Sequence, residues 1–247
     1  MFEPNAQKLL AELKPSDVGG WACPFNRANW IMDAEPYETR GFYRVFGSAP
    51  SQGGEKEWFG PATWVRRDIC SREPFPFADK SIDFAICSHT LEDIRDPLWV
   101  CSELMRVAKR GYIEVPSREW ETCRGVERPN LAGLSHHRWL IEIAGNHVRF
   151  QMKYHMLHSH WSFSFPAAHA RRLRPEQAVQ WLWWDKTFEC TETIINGLAE
   201  QERELTQFVQ RVRPYPAWRI TLDRRARGVR SLANRAIGKC IRLINGR

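Results

Sequence analysis

Residues 68–116 read DICSREPFPFADKSIDFAICSHTLEDIRDPLWVCSELMRVAKRGYIEVP, and their apolar spacing decides the fold class. Stretch 81–88 (SIDFAICS) is apolar on both faces, as a central parallel strand covered on each side requires. Next, 96–107 carries Leu98, Cys101, Leu104 and Met105 at helical spacing, with Ala108 just beyond. Stretch 111–116 (GYIEVP) predicts another strand. Strand, helix, strand with short connections implies parallel βαβ units, hence an α/β fold with a mostly parallel sheet flanked by helices.

Upstream, 63–69 (TWVRRDI) predicts a strand, as does the apolar run Trp30-Ile31-Met32 ending at Asp33. Between them, 47–61 is rich in Gly, Ser and Pro and predicts a loop. At the start of the chain, 5–13 reads as a short amphipathic helix stopped by Pro15. Downstream the pattern changes. Stretch 139–143, a turn at 144–146 and 147–150 predict a β-hairpin. A tryptophan-rich stretch with Trp161, Trp181, Trp183 and Trp184 follows, then a helix over 194–212 closed by Pro214 and Pro216. These tryptophans suit core packing or a flat surface for a sugar ring. The expected organisation is one α/β domain over 1–215, with 135–215 as an accessory hairpin and Trp-rich segment, followed by a basic tail over 216–247.

Pro76-Phe77, Asp79, Ser81, Asp83, Leu91-Glu92, Asp96-Pro97, Glu103, Arg106-Val107 and Gly111 all lie within the opening stretch. In this order and spacing they resemble the central block of the class I S-adenosylmethionine-dependent methyltransferases of the methyltransferase-11 type. That resemblance implies a Rossmann-like fold, S-adenosylmethionine as cofactor, and ligand binding at the carboxyl ends of the strands. It places the ribose contact on Asp33, the adenine contact on Asp68 with Ile69, and contacts near the methionine moiety on Ser88 and His89.

The family's glycine-rich first motif is only partly present. Asp17 and Gly19 match, and with Gly20 they are candidate cofactor contacts, but Trp21 and Cys23 stand where later glycines belong. The connection 19–28 is too short for a full crossover helix. Two readings follow: a tighter loop that still binds the cofactor, with Trp21 stacked over part of it, or a non-catalytic scaffold or binding protein without cofactor affinity.

Methyl transfer to an oxygen needs a base near the strand ends. Ser135-His136-His137-Arg138 offers two imidazoles and a guanidinium, so His136 and His137 are candidate catalytic residues and Arg138 a candidate acceptor contact. The loop after 111–116 adds Arg118 as a substrate contact and Glu121 as a further catalytic candidate. His155, His158 and His160 lack a matching second ligand cluster, so no metal is assigned.

Charge is unevenly spread. The chain carries net +7, yet 219–247 holds nine Lys and Arg against one acid, leaving the other residues near neutral. That disfavours a nucleic-acid face over the whole protein. From Val229 the tail has helical apolar spacing with basic edges, which suits an anionic membrane surface or packing on the body or a second subunit. A membrane-bound tail would fit a saccharide or lipid-linked glycan acceptor. Seven scattered cysteines without a C-x-x-C pair, and no apolar leader at the start, point to reduced thiols in a cytoplasm, peripheral to the membrane where the tail binds. Oligomeric state is not legible.

Overall fold

The computed structural model describes residues 15–47, 50–54, 56–214, 216 and 218. The helix expected over 5–13 and the basic stretch 219–247 lie outside the described residues. Among the described residues no helix is long and apolar enough to cross a membrane.

Six strands form the main sheet: β1 (Ser16–Val18), β2 (Trp30–Asp33), β3 (Trp64–Arg66), β4 (Ala85–Ser88), β5 (Arg110–Pro116) and β8 (Val179–Asp185). Their spatial order is β3-β2-β1-β4-β5-β8. The first five are parallel, and β8 runs antiparallel to β5. The order reverses between β1 and β4, so the carboxyl ends of these two strands flank the crevice where open α/β sheets bind ligands. A second sheet combines the expected hairpin, β6 (Trp139–Ala144) and β7 (His147–Met152), with β9 (Glu189–Thr193).

The two faces of the main sheet are covered differently. Alternation along β4 sends Ala85 and Cys87 to one face and Phe84 and Ile86 to the other. The first face packs on helix α1 (Pro97–Val107) through Val100, Cys101, Leu104 and Val107, and on the second sheet through Ile141, Val148 and Phe150. Asp96 caps α1 by accepting from the Trp99 N–H, and Pro97 occupies its first turn, where no N–H is needed. At the other end, Lys80 Nζ donates to the Met105 and Ala108 carbonyls.

Among the described residues the second face has no long helix. Phe25, Ala28 and Phe59 cover it from the long connections between β1 and β3, together with Trp64 of β3, with Tyr37, Trp181 and Trp183 at their edge. As the short spacing predicted, 19–29 forms turns rather than a crossover helix. The late tryptophans pack here too. Trp183 lies 4.6 Å from the Tyr112 ring and 5.9 Å from Phe84. Helix α2 (Leu198–Val212) buries Leu205 and Val209, the latter against Cys123 and Phe165.

Candidate functional site

At the carboxyl end of β1 the backbone turns sharply. Gly19 has φ +80°, and a Cβ there would lie 2.2 Å from Thr90 Cγ2. Thr90 Oγ1 donates to the Gly19 carbonyl, which ties the β1 turn to the loop after β4. A Cβ on Gly20 would meet Asp17 Oδ2 at 2.5 Å. Asp17 is buried and accepts from the Phe25 N–H at 2.9 Å. Burial pushes its carboxyl up to about 7, partly offset by the Phe25 amide, and the charge of Asp33 adds to the rise.

Asp33 ends β2 and accepts two backbone N–H groups, Trp21 on Oδ2 and Glu35 on Oδ1, each at 3.0 Å. Burial raises its pKa, while the amides of Glu35 and Trp21 hold it down in part. The Trp21 indole is fastened sideways: Nε1 donates to the carbonyl and hydroxyl of Thr39, and the ring lies 5.2 Å from Phe42.

Ser88 ends β4, and its buried Oγ has no hydrogen-bond partner among the described residues. His89 follows in the left-handed region at φ +51°. Its Nε2 lies 3.2 Å from Glu114 Oε1 and its Nδ1 3.4 Å from Glu92 Oε1, both on buried carboxylates. Tyr112 donates its hydroxyl to the other Glu114 oxygen at 2.5 Å. Burial of the ring pulls His89 down, but its bonds to Glu114 and Glu92 and their charges prevail and lift it to about 9.

A second cluster sits beside the loop after β4. Glu121 is buried and gathers Lys153 Nζ and the Leu134 N–H on Oε1, with His137 Nδ1 at 2.8 Å from Oε2. Gly133 makes room for this carboxylate: at φ +62°, a Cβ there would lie 2.0 Å from Glu121 Oε1. The far side of the His137 ring faces Asp93, with Nε2 3.7 Å from Oδ1, and His136 Nε2 approaches the same oxygen at 3.8 Å. Burial first, then the neighbouring acids, raises Asp93 against the lowering charges of His137 and His136. Tyr43, on the connection after β2, feels Asp93, Cys23 and Glu92 after burial as causes of its raised pKa, so these side chains border one region.

Residues 37–113 match the methyltransferase domain family. This stretch, less than a third of the chain, is similar to a methyltransferase domain. Solved methyltransferases align with the chain at low similarity. One from Methanosarcina mazei is 17% identical over 57% of this chain and 87% of its own, with a TM-score of 0.34. One from Aquifex aeolicus is 18% identical over 48% of this chain and 76% of its own, at 0.29. The YcgJ protein of Bacillus subtilis is 15% identical over 47% of this chain at 0.30, and there the chain spans about half of the relative, 52%. It likewise spans 51% and 50% of two further matched chains. No curated protein matches the chain.

Asp33 and Ser88 end β2 and β4, and His89 follows Ser88. Asp17, Gly19 and Gly20 are absorbed into packing of the first turn. Asp68 lies past the end of β3, exposed and ion-paired with Arg95 at 2.6 Å; that guanidinium holds its carboxyl below the usual range despite some burial. The Ile69 side chain is buried in the core. His136, His137 and Glu121 come together, although 121 and 136 are distant in sequence. Arg118 stands apart, bound to Glu142 and Glu204 and lying 4.3 Å over the Phe208 ring. The Arg138 side chain is exposed, while its backbone N–H donates to the Glu92 carbonyl at 2.7 Å. His158 accepts from the Ala132 N–H, and His160 caps the turn at Ser162, so these two late histidines have separate tasks.

Sequence reasoning missed Glu92, Asp93, Glu114 and Lys153. Acids directly after a buried strand, as in Leu91-Glu92-Asp93, were a usable signal. Lys153 carried none, because its partner is 32 positions away.

Proposed function

We propose that the protein transfers a methyl group from S-adenosylmethionine to an oxygen of an acceptor, with a saccharide or lipid-linked glycan as the acceptor class. The observation that carries this reading is the meeting of Asp33, Ser88 and His89 at the strand ends with the Asp93, His136, His137 and Glu121 cluster beside them. The cofactor's fit is best at two of its ends. Asp33 accepts from Trp21 and Glu35 yet keeps acceptor capacity for ribose hydroxyls, since a carboxylate offers about four lone-pair sites. Ser88 Oγ is a buried hydroxyl in need of a partner near the methionine end. The adenine end fits least well, because Asp68 is held by Arg95.

The cofactor supplies a methyl carbon on a sulfonium, open to in-line attack by an oxygen. That oxygen must lose its proton as its bond to carbon forms, and Asp93 with the two imidazoles is the group of bases beside the strand ends. Glu121 and Lys153 fix the His137 ring, so the cluster is oriented before an acceptor arrives.

Calorimetric titration with S-adenosylhomocysteine tests the reading. The expected result is micromolar binding that Asp33→Ala weakens at least about tenfold. No heat at millimolar ligand would favour the non-catalytic binding protein instead. The proposal extends to the basic stretch 219–247 as a contact with an anionic membrane that carries the acceptor. The full chain is then expected to float with anionic vesicles and a chain ending at 218 to stay behind; equal flotation of the two would remove this part.

A further inference from the structure

The cluster around Asp93 has a geometry that hydrogen bonding does not explain. Glu121 receives Lys153 Nζ and the Leu134 N–H on one oxygen, and its other oxygen lies 2.8 Å from His137 Nδ1. An ionised carboxylate only accepts, so Nδ1 carries the hydrogen and the His137 Nε2 lone pair points away from Glu121. Nε2 faces Asp93 Oδ1 at 3.7 Å. A charge-assisted N–H···O bond closes to roughly 2.8 Å, so no such bond joins them. His136 Nε2 stands off the same oxygen by 3.8 Å. Asp93 Oδ1 is itself buried and has no hydrogen-bond partner among the described residues. Three atoms able to serve as metal ligands therefore lie within 4.8 Å of one another.

We infer that Asp93, His136 and His137 form a binding site for a first-row divalent transition-metal cation, held through Oδ1 and the two Nε2 atoms. Bonds of about 2.1 Å at tetrahedral angles set ligand atoms roughly 3.4 Å apart, so each imidazole needs to approach Asp93 Oδ1 by only a few tenths of an ångström. Two imidazoles and one carboxylate suit zinc, cobalt, iron or manganese better than magnesium or calcium, which prefer oxygen ligands alone. The buried Glu121 bound to the outer nitrogen of His137 is the carboxylate–histidine pairing that orients a metal-bound imidazole, and Lys153 anchors that carboxylate in turn. His136 is the exposed member, with 58% of its side chain accessible against 4% for His137, so the cation would have an open side toward solvent. There water, or an oxygen of a hydroxylated acceptor, would complete its coordination. This role for the cation rests on the proposed methyl transfer; its binding does not.

The test titrates Co2+ into the untagged full chain, followed by visible absorption and calorimetry. One equivalent is expected to bind with micromolar affinity, weakened at least about tenfold by Asp93→Asn and by His136→Ala. Thermal melting of both variants checks that they fold, and both side chains are exposed enough to replace. No binding up to millimolar Co2+, or undiminished affinity in both variants, overturns the site. S-adenosylhomocysteine titrated into the same preparation separates the two proposals. Loss of cation binding with cofactor binding intact removes only the metal site, and the reverse removes only the transferase reading.

Discussion

Asp17 is an acid buried within a β-strand, with its carboxyl pushed up to about 7 and one backbone amide as the bond that restrains it. Between its unfolded value of about 3.9 and that figure, the folded chain holds the proton more tightly than the unfolded one. Asp17 therefore stabilises fully only below the unfolded value, and its contribution fades as pH rises to about 7. An amide in its place does not titrate. Asp17→Asn is expected to match the wild type in thermal midpoint near pH 3.5 and to exceed it by several degrees at pH 8. An offset that is the same at both values would refute this. The residue was visible in the sequence as a motif acid, but its state was not, because burial is set by Phe25 and Gly20 folding over it. Asp33 was legible for the same reason as β2: an apolar run that stops at an acid. The partnership of Glu121 with His137 and Lys153 was not, since only the folded chain brings those segments together.

Helix α1 explains why the Glu103 and Arg106 positions go with the Pro76-Phe77 and Asp79 positions. Glu103 is buried, accepts the Phe75 N–H at 2.6 Å and pairs with Arg106, which donates to the carbonyls of Phe75 and Phe77 and to Asp79. The two side chains pin the loop before β4 onto the helix. Removing one partner of such a pair leaves the other poorly satisfied, so Glu103→Gln is expected to lower stability by about 2 kcal/mol, with solvent at Arg106 softening the loss. Urea denaturation reads it, and an unchanged midpoint would remove the clamp. Gly111 plays a different part: a Cβ there would lie 2.4 Å from the Ala85 carbonyl and 2.7 Å from the Trp184 ring. Gly111→Ala is expected to cost about 2 kcal/mol by the same measurement, through overpacking between β4, β5 and β8. β4 and β5 were readable as short apolar runs and α1 by its helical period. β8 and β9 were missed. β8 is an aromatic strand with partial burial on both faces, and β9 (Glu-Cys-Thr-Glu-Thr) is mostly polar and is held by register with β7. Neither presents the alternation that marks a strand in sequence.

Over the whole molecule, the mostly parallel sheet followed from the sequence through family resemblance and βαβ logic, whereas the antiparallel β8 at its edge did not. Its unequal faces have a dynamic consequence. On one side α1 and the second sheet, both regular elements, pack their side chains on β4 and β5; on the other, turns and aromatic side chains between β1 and β3 form the cover. Amides in irregular segments open at lower free energy than those in a ladder. In hydrogen–deuterium exchange the aromatic side should therefore label early while β4, β5 and α1 stay dark. A ligand settling on Asp33 would slow labelling on that side alone, because the Trp21 amide and the Thr39 anchor sit there. The molecule is built as a stiff plate with a pliant lining, and the lining is where occupancy would be felt.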